Sequence, residues 1–169
     1  MTHKKICLMG AFAVGKTSLI KRYVHSIFDE KYQTTIGVKI NKRVTSINGD
    51  NMTFIIWDIA GEDDFASFRP AYLRGVSGYI VVVDGTRQSS IGVGLQIHEK
   101  SKLITGDVPV VFALNKCDMK DKWILTNEQL ETFASFNFPI LETSAKTGES
   151  VDEIFQQLGL QLISTKALA

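Results

Sequence analysis

The chain has 169 residues, 44% hydrophobic and 22% charged, so it can bury a sizeable core and reads as one globular domain over residues 1–169. Lys and Arg number 19 against 18 Asp and Glu, a net charge of +1 that excludes a bulk nucleic-acid binder. Two cysteines, Cys7 and Cys117, exclude a disulfide framework and show no metal-ligand spacing, which points to a reducing compartment. The start, Met1-Thr2-His3-Lys4-Lys5, lacks an apolar secretion segment, and Thr2 stands where myristoylation needs glycine. The end, Thr165 to Ala169, carries no cysteine for prenylation, and no apolar run is long enough to span a bilayer. The expectation is a cytoplasmic monomer with no nucleic-acid partner. Membrane association is expected only if a further tail or a partner recruits it.

In chain order, Lys5–Met9 predicts a buried strand and is followed directly by Gly10-Ala11-Phe12-Ala13-Val14-Gly15-Lys16-Thr17. These residues fit G-x-x-x-x-G-K-[ST] in its confirming context, strand before and helix after. Val38 to Ile47 predicts a strand with Val38, Ile40 and Val44 on one side, and Asn48-Gly49-Asp50 a hairpin turn into Thr53–Trp57. A helix is expected within Asp64–Arg74, a strand over Tyr79–Asp84, a helix after Ser89 and a strand over Val110–Asn115. Thr126 with Gln129 forms a capping box before Leu130, Phe133 and Ala134. Ile140–Thr143 is the last strand, and Ser150 with Glu153 a second capping box before Val151, Ile154, Phe155, Leu158 and Leu162. This alternation predicts an α/β, doubly wound P-loop NTPase fold. Its six-stranded, mostly parallel sheet has one antiparallel edge strand and helices on both faces, and its ligands bind at the carboxyl ends of the strands.

The glycine-bounded loop lets successive backbone N–H groups converge on phosphate oxygens, and the following helix points its positive end at the same anion. Gly10, Ala13, Val14, Gly15, Lys16, Thr17 and Ser18 are the candidate phosphate residues, with Lys16 reaching the terminal phosphates and Thr17 ligating Mg²⁺. The competing reading is an ordinary glycine turn before a helix. In Asp58-Ile59-Ala60-Gly61 the acid can hold Mg²⁺, directly or through water, and Gly61 can bring its N–H to a γ-phosphate; alone, such a match also describes a plain turn. In Asn115-Lys116-Cys117-Asp118 the aspartate can accept two hydrogen bonds from guanine N1–H and N2–H₂. Adenine has an acceptor at N1 and no amine at C2, a mismatch of about 1–3 kcal/mol. Lys116 can lay its alkyl stem along the base, although a solvated polar loop after a strand is the bland alternative. Ser144-Ala145-Lys146 is the least specific motif: Ala145 permits close approach, so that its N–H could donate to guanine O6.

Phosphate loop, D-x-x-G, N-K-x-D and S-A-K in this order resemble the Ras superfamily of small GTPases over nearly the whole chain, and the Rab branch most of all. Thr35-Ile36-Gly37-Val38 resembles the Rab effector loop, and Tyr72-Leu73-Arg74-Gly75 the end of the Rab second switch. Between Asn115 and Ser144 there is no room for the extra helix of the Rho branch. The resemblance implies a guanine-nucleotide switch that binds GTP or GDP with Mg²⁺ and hydrolyses GTP. It implies Thr35 as a ligand of Mg²⁺ and γ-phosphate, Phe28 against the guanine, and Tyr32 over the phosphates. It implies switch segments over about 26–36 and 59–74, read by effector, exchange-factor and activating proteins. Lys16, Thr35, Gly61 and the residue after it are then the catalytic candidates.

That residue is Glu62, where the family usually has a water-orienting glutamine. A carboxylate can accept from water but cannot donate to the transferring phosphoryl group, and its charge repels the phosphate oxygens. Alternatively Glu62 lies in solvent on a mobile loop. Phe12 stands where a small residue is usual. Its benzyl group either crowds the γ-phosphate and leaves little room for an arginine supplied by a partner, or turns away to pack near Phe65 or Phe68. Both departures suggest slow hydrolysis, and in the extreme a GTP-binding interaction module with little or no turnover.

Overall fold

The computed structural model describes residues 2–31, 33–61 and 68–167. Its strands are β1 (Thr2–Met9), β2 (Val38–Ile47), β3 (Asp50–Ile59), β4 (Gly78–Asp84), β5 (Val110–Asn115) and β6 (Ile140–Thr143). They form one sheet in the order β2-β3-β1-β4-β5-β6. All neighbours are parallel except β2 and β3, which run antiparallel from Val38 opposite Ile59 to Ile47 opposite Asp50. Asn48 and Gly49 between them take φ of 51° and 86°, the paired left-handed backbone of a tight hairpin turn. The helices are α1 (Lys16–His25), α2 (Gln88–Thr105), α3 (Asn127–Ala134) and α4 (Val151–Ala167). This is the α/β P-loop NTPase architecture expected from the alternation of elements.

The period-2 pleat divides each strand between two cores. Ile6, Leu8, Phe54, Ile56, Ile80 and Val82 pack with α1 and α4 on one face. Cys7, Met9, Tyr79, Val81, Val83 and Phe112 pack on the other with residues of α2 and α3. Both faces of β4 are covered, so all seven of its residues are buried, which explains its unbroken apolar sequence.

One expectation needs correction, the capping box at Ser150, and two others are filled in. Val38, Ile40 and Val44 share a side of β2 that is largely uncovered: Ile40 is 56% and Val44 50% exposed, and only Val38 packs against the core. β2 is an edge strand, and its fully buried residue is Ile47, whose side chain sits on the bare backbone of Gly159 in α4. Within Asp64–Arg74, only a single 3-10 turn, Pro70–Leu73, is present among the described residues; it begins on a proline, which fits a first helical position, and residues 62–67 lie outside the description. Ser150 takes φ 53° rather than the extended backbone of a capping serine, and no capping hydrogen bond joins it to Glu153. Thr126 does form its capping box, with Gln129 N–H donating to Thr126 Oγ1 at 3.2 Å and Thr126 N–H to Gln129 Oε1 at 3.0 Å.

β1, β3, β4, β5 and β6 end at Met9, Ile59, Asp84, Asn115 and Thr143. Because these five strands are parallel, their carboxyl ends and the motif that follows each meet along one edge of the sheet.

Candidate functional site

Between Gly10 and Gly15 every backbone carbonyl has a hydrogen-bond donor. Lys16 Nζ donates to Gly10 O at 3.1 Å and Ala11 O at 2.8 Å, and the Arg87 guanidinium donates to Phe12 O. Lys116 Nζ donates to Ala13 O at 3.3 Å, Asn115 Nδ2 to Val14 O at 2.9 Å, and Leu19 N–H to Gly15 O at 2.9 Å. The backbone N–H groups of Ala13, Val14 and Gly15 have no acceptor among the described residues. Left-handed φ at Ala13 (58°) and Gly15 (102°) makes this turn, and the N-terminus of α1 follows at once. Unpaired N–H groups over a helix N-terminus form an anion-binding nest. Glycine is required at two places for space: a Cβ on Gly10 would come within 2.2 Å of Val82 O, and one on Gly15 within 2.3 Å of Asn115 Nδ2.

A cavity of about 250 Å³ opens from this nest along the strand ends. At the phosphate-loop end, Lys16, Thr17, Ser18, Thr35 and Gly61 line it, and Phe12 and Ala13 form part of the wall. A Cβ on Gly61 would fall 2.4 Å from both Ala11 O and Lys16 Nζ, so only glycine lets the end of β3 approach the loop so closely. Thr17 Oγ1 donates to Asp58 Oδ2 at 2.6 Å and lies 2.7 Å from Thr35 Oγ1. A hydroxyl has one proton, so with that of Thr17 committed to Asp58, Thr35 is the donor of the pair. Asp58 is buried, and its Oδ1 takes no hydrogen bond from any described residue. Burial raises the Asp58 pKa above the ordinary carboxylate value, against the Thr17 hydrogen bond and the Lys16 charge, which lower it. Two hydroxyls and a carboxylate with an orphaned oxygen form a hard oxygen donor set that fits Mg²⁺.

At the other end the cavity is bounded by Phe28, Asn115, Lys116, Asp118, Ala145 and Lys146. Phe28 also packs on the core beside α1. Asn115 is 2% exposed and ties three segments together: its amide holds Val14 O, while Thr143 Oγ1 donates to its Oδ1 at 3.1 Å. Ser144 Oγ donates to Asp118 Oδ1 at 2.7 Å, and no described group donates to Oδ2. The Lys116 ammonium pairs with Asp84 Oδ2 at 2.7 Å. Burial alone would raise the Asp84 pKa, but hydrogen bonds from Lys116 and Thr86 outweigh it and hold the carboxyl below its ordinary value.

Most of the candidates from the sequence therefore meet in one cavity. Four stand behind its wall rather than in it: Gly10, Val14, Asp58 and Ser144. The Val14 side chain belongs to the core and Ser144 works through Asp118. Tyr32 and Glu62 lie outside the described residues. The sequence reading missed four supporting residues: Arg22, Asp84, Arg87 and Trp123. Arg22, in the last turn of α1, donates from Nε to Ala145 O at 2.8 Å and from Nη2 to Lys146 O, tying the S-A-K loop to the phosphate helix. Only Asp84 carried a signal, an acid closing an otherwise apolar strand.

A nest of unaccepted amides at the end of a parallel sheet, with a lysine and an oxygen cluster beside it, defines a nucleotide-binding P-loop protein. The family described as the Ras family matches residues 5–164. The chain is 34% identical over 160 residues to the GTP-binding protein YPT1 of Saccharomyces cerevisiae, covering 94% of this chain and 78% of that one. It is 35% identical over 164 residues to the Ras-related protein RabJ of Dictyostelium discoideum, covering 96% of this chain and 64% of RabJ. The chain belongs to the Ras superfamily of small GTPases and is Rab-like, a nucleotide-binding switch protein. No described helix is long and apolar enough to cross a membrane.

Proposed function

We propose that the protein is a guanine-nucleotide switch that binds GTP and GDP with Mg²⁺, hydrolyses GTP slowly, and presents its two switch segments to effector, exchange-factor and activating proteins. The observation that carries the reading is the phosphate loop, every carbonyl already hydrogen-bonded and three amides left for an anion, continuous with a cavity that Asp118 also lines. The loop amides and Lys16 hold the β- and γ-phosphates, and Gly61 brings its N–H to the γ-phosphate. Asp118 accepts from the guanine N1 and N2 hydrogens, Ala145 N–H donates to O6, and the stem of Lys116 and the ring of Phe28 bracket the base. Thr17 and Thr35 would hold Mg²⁺, with Asp58 behind them. When bound, the ion would neutralise charge on the phosphate oxygens. Thr35 Oγ1 lies 2.7 Å from Thr17 Oγ1; in this reading the γ-phosphate holds the Thr35 segment over the cavity, its loss releases that segment, and a partner reads the difference.

Phe12 lines the cavity at 36% exposure, which supports a benzyl group bordering the phosphate end. Together with Glu62 it makes turnover slow and leaves little room for an arginine from a partner. Single-turnover GTP hydrolysis, compared among wild type, Glu62→Gln and Phe12→Gly, tests this: both variants should be faster. A wild-type rate equal to or above both removes the slow-hydrolysis reading. Bound GTP that persists for days in all three identifies a GTP-binding interaction module instead.

A further inference from the structure

Lys116 has a left-handed backbone, φ 68° and ψ 38°, which a residue carrying a Cβ adopts only where its surroundings impose it. Its carbonyl accepts two hydrogen bonds, from Met119 N–H at 2.9 Å and from the indole Nε1–H of Trp123 at 3.1 Å. The indole is itself wedged. Its ring lies so close to the backbone of Gly85 that a Cβ there would fall 2.4 Å from Cδ2 and Cε2. Gly85 is held in turn, donating to Asn115 O at 3.3 Å and accepting from Ile124 N–H at 3.0 Å. At the other end of Lys116 the ammonium is fixed by Asp84 Oδ2 at 2.7 Å and Ala13 O at 3.3 Å. Asp84 cannot swing away, because its Oδ1 accepts from Thr86 N–H at 2.9 Å and Thr86 Oγ1 at 2.7 Å.

We propose that Trp123 is a positioning residue for base selection, acting through the Lys116 backbone to set where Lys116 and Asp118 meet the base. This deepens the guanine-selective reading above and rests on it. Trp123 is only half-buried and gives its one donor to the carbonyl of the motif's strained residue. The left-handed turn at Lys116 sends the chain back so that Asp118, two residues on, reaches Ser144 and the cavity. Without the indole, that carbonyl keeps one restraint of two and the turn loosens, while Asp84 still holds the Lys116 ammonium against Ala13 O and so keeps the phosphate nest in place.

The test measures the affinities of the whole chain for GDP and for ADP, the second nucleotide reporting the phosphate nest without the guanine contacts. Trp123→Phe keeps a ring against Gly85 and removes the N–H. It should weaken GDP about five-fold, as expected for one lost hydrogen bond, and leave ADP unchanged. Gly85→Ala attacks the same contact from the opposite side and should give the same selective loss in a protein that still melts cooperatively. Unchanged GDP affinity in either folded variant, or equal losses for GDP and ADP, overturns the proposal, since a purely structural residue would move both. A wild type with no preference for GDP over ADP overturns the guanine reading, and the inference with it.

Discussion

Replacing Asn115 by alanine probes the joint of the site more directly than any change to a residue that faces the ligand. Asn115 is 2% exposed, and its amide spans the phosphate loop and the end of β6 through hydrogen bonds of 2.9 Å to Val14 O and 3.1 Å from Thr143 Oγ1. The alanine leaves a buried carbonyl and a buried hydroxyl without these partners, each costing about 1–3 kcal/mol, so the total destabilisation is roughly 2–6 kcal/mol. For a chain of this size 1 kcal/mol moves the melting temperature by about 2–4 °C, which places the expected drop at roughly 4–24 °C. Thr143→Val removes only the second bond and should give the smaller part of that drop. The assay is thermal unfolding at fixed GDP and Mg²⁺, with the GDP affinity of each variant measured so that its linkage, RT ln(1 + c/Kd) at free GDP concentration c, is subtracted. If Asn115→Ala melted within about 2 °C of wild type, the tie between phosphate loop and β6 would contribute nothing and the reasoning would fail.

Three further predictions concern separate parts of the molecule. Asp118→Asn should lower affinity for GTP and admit xanthine nucleotides, whose 2-carbonyl pairs with an amide donor; competition binding with XTP checks it, and unchanged GTP preference refutes the base assignment. Gly61→Ala places a methyl 2.4 Å from Lys16 Nζ and Ala11 O, so GTP should bind roughly ten-fold more weakly while GDP binding changes less, as titration with each nucleotide would show. His98 is enclosed by Phe112, Phe136 and Phe138, with Tyr79 Oη on its Nδ1 at 3.1 Å, and burial followed by the Lys102 charge lowers its pKa below 6.5. The folded state therefore binds fewer protons than the unfolded one just below pH 6.5. His98 costs no stability above that value and progressively more as the pH falls toward its folded pKa. Melting curves between about pH 7.5 and pH 5.5 should show a steeper acid loss in wild type than in His98→Gln, which keeps a hydrogen-bond partner for Tyr79; parallel curves refute it.

The parallel strands were legible because full burial leaves an unbroken apolar run, as in Tyr79–Val83, and the motifs were legible because each closes such a run. The edge strand and its hairpin were legible too, but not its cover: alternation at Val38, Ile40 and Val44 looks the same whether or not a helix lies over that side, and here none of the described elements covers Ile40 or Val44. The capping box at Ser150 failed for a related reason, since residue spacing carries no record of φ. Asn115 was assigned to the base by its motif, and the geometry shows both ends of its amide engaged by protein. Arg22, Arg87 and Trp123 were invisible because each acts on a backbone carbonyl, a group every residue has and no pattern marks. Contacts from side chain to backbone across 123, 75 and 7 positions of chain exist only once the fold has closed.

The hydrogen-bonded carbonyls of the loop also bear on what residue 12 would do in the proposed function. Left-handed backbone in the loop falls at Gly10, Ala13 and Gly15, and Phe12 is not among the positive-φ residues, so a large side chain there meets no backbone penalty. Its carbonyl is held by Arg87 from the head of α2, independently of what the ring touches. In the proposed reading the cost of phenylalanine then falls on the space over the cavity, which the ring borders, rather than on the amide nest. A loop that keeps its shape while its rim fills should retain nucleotide affinity and lose room for the groups that complete the transition state. Binding and turnover can then diverge at this position without any change in fold.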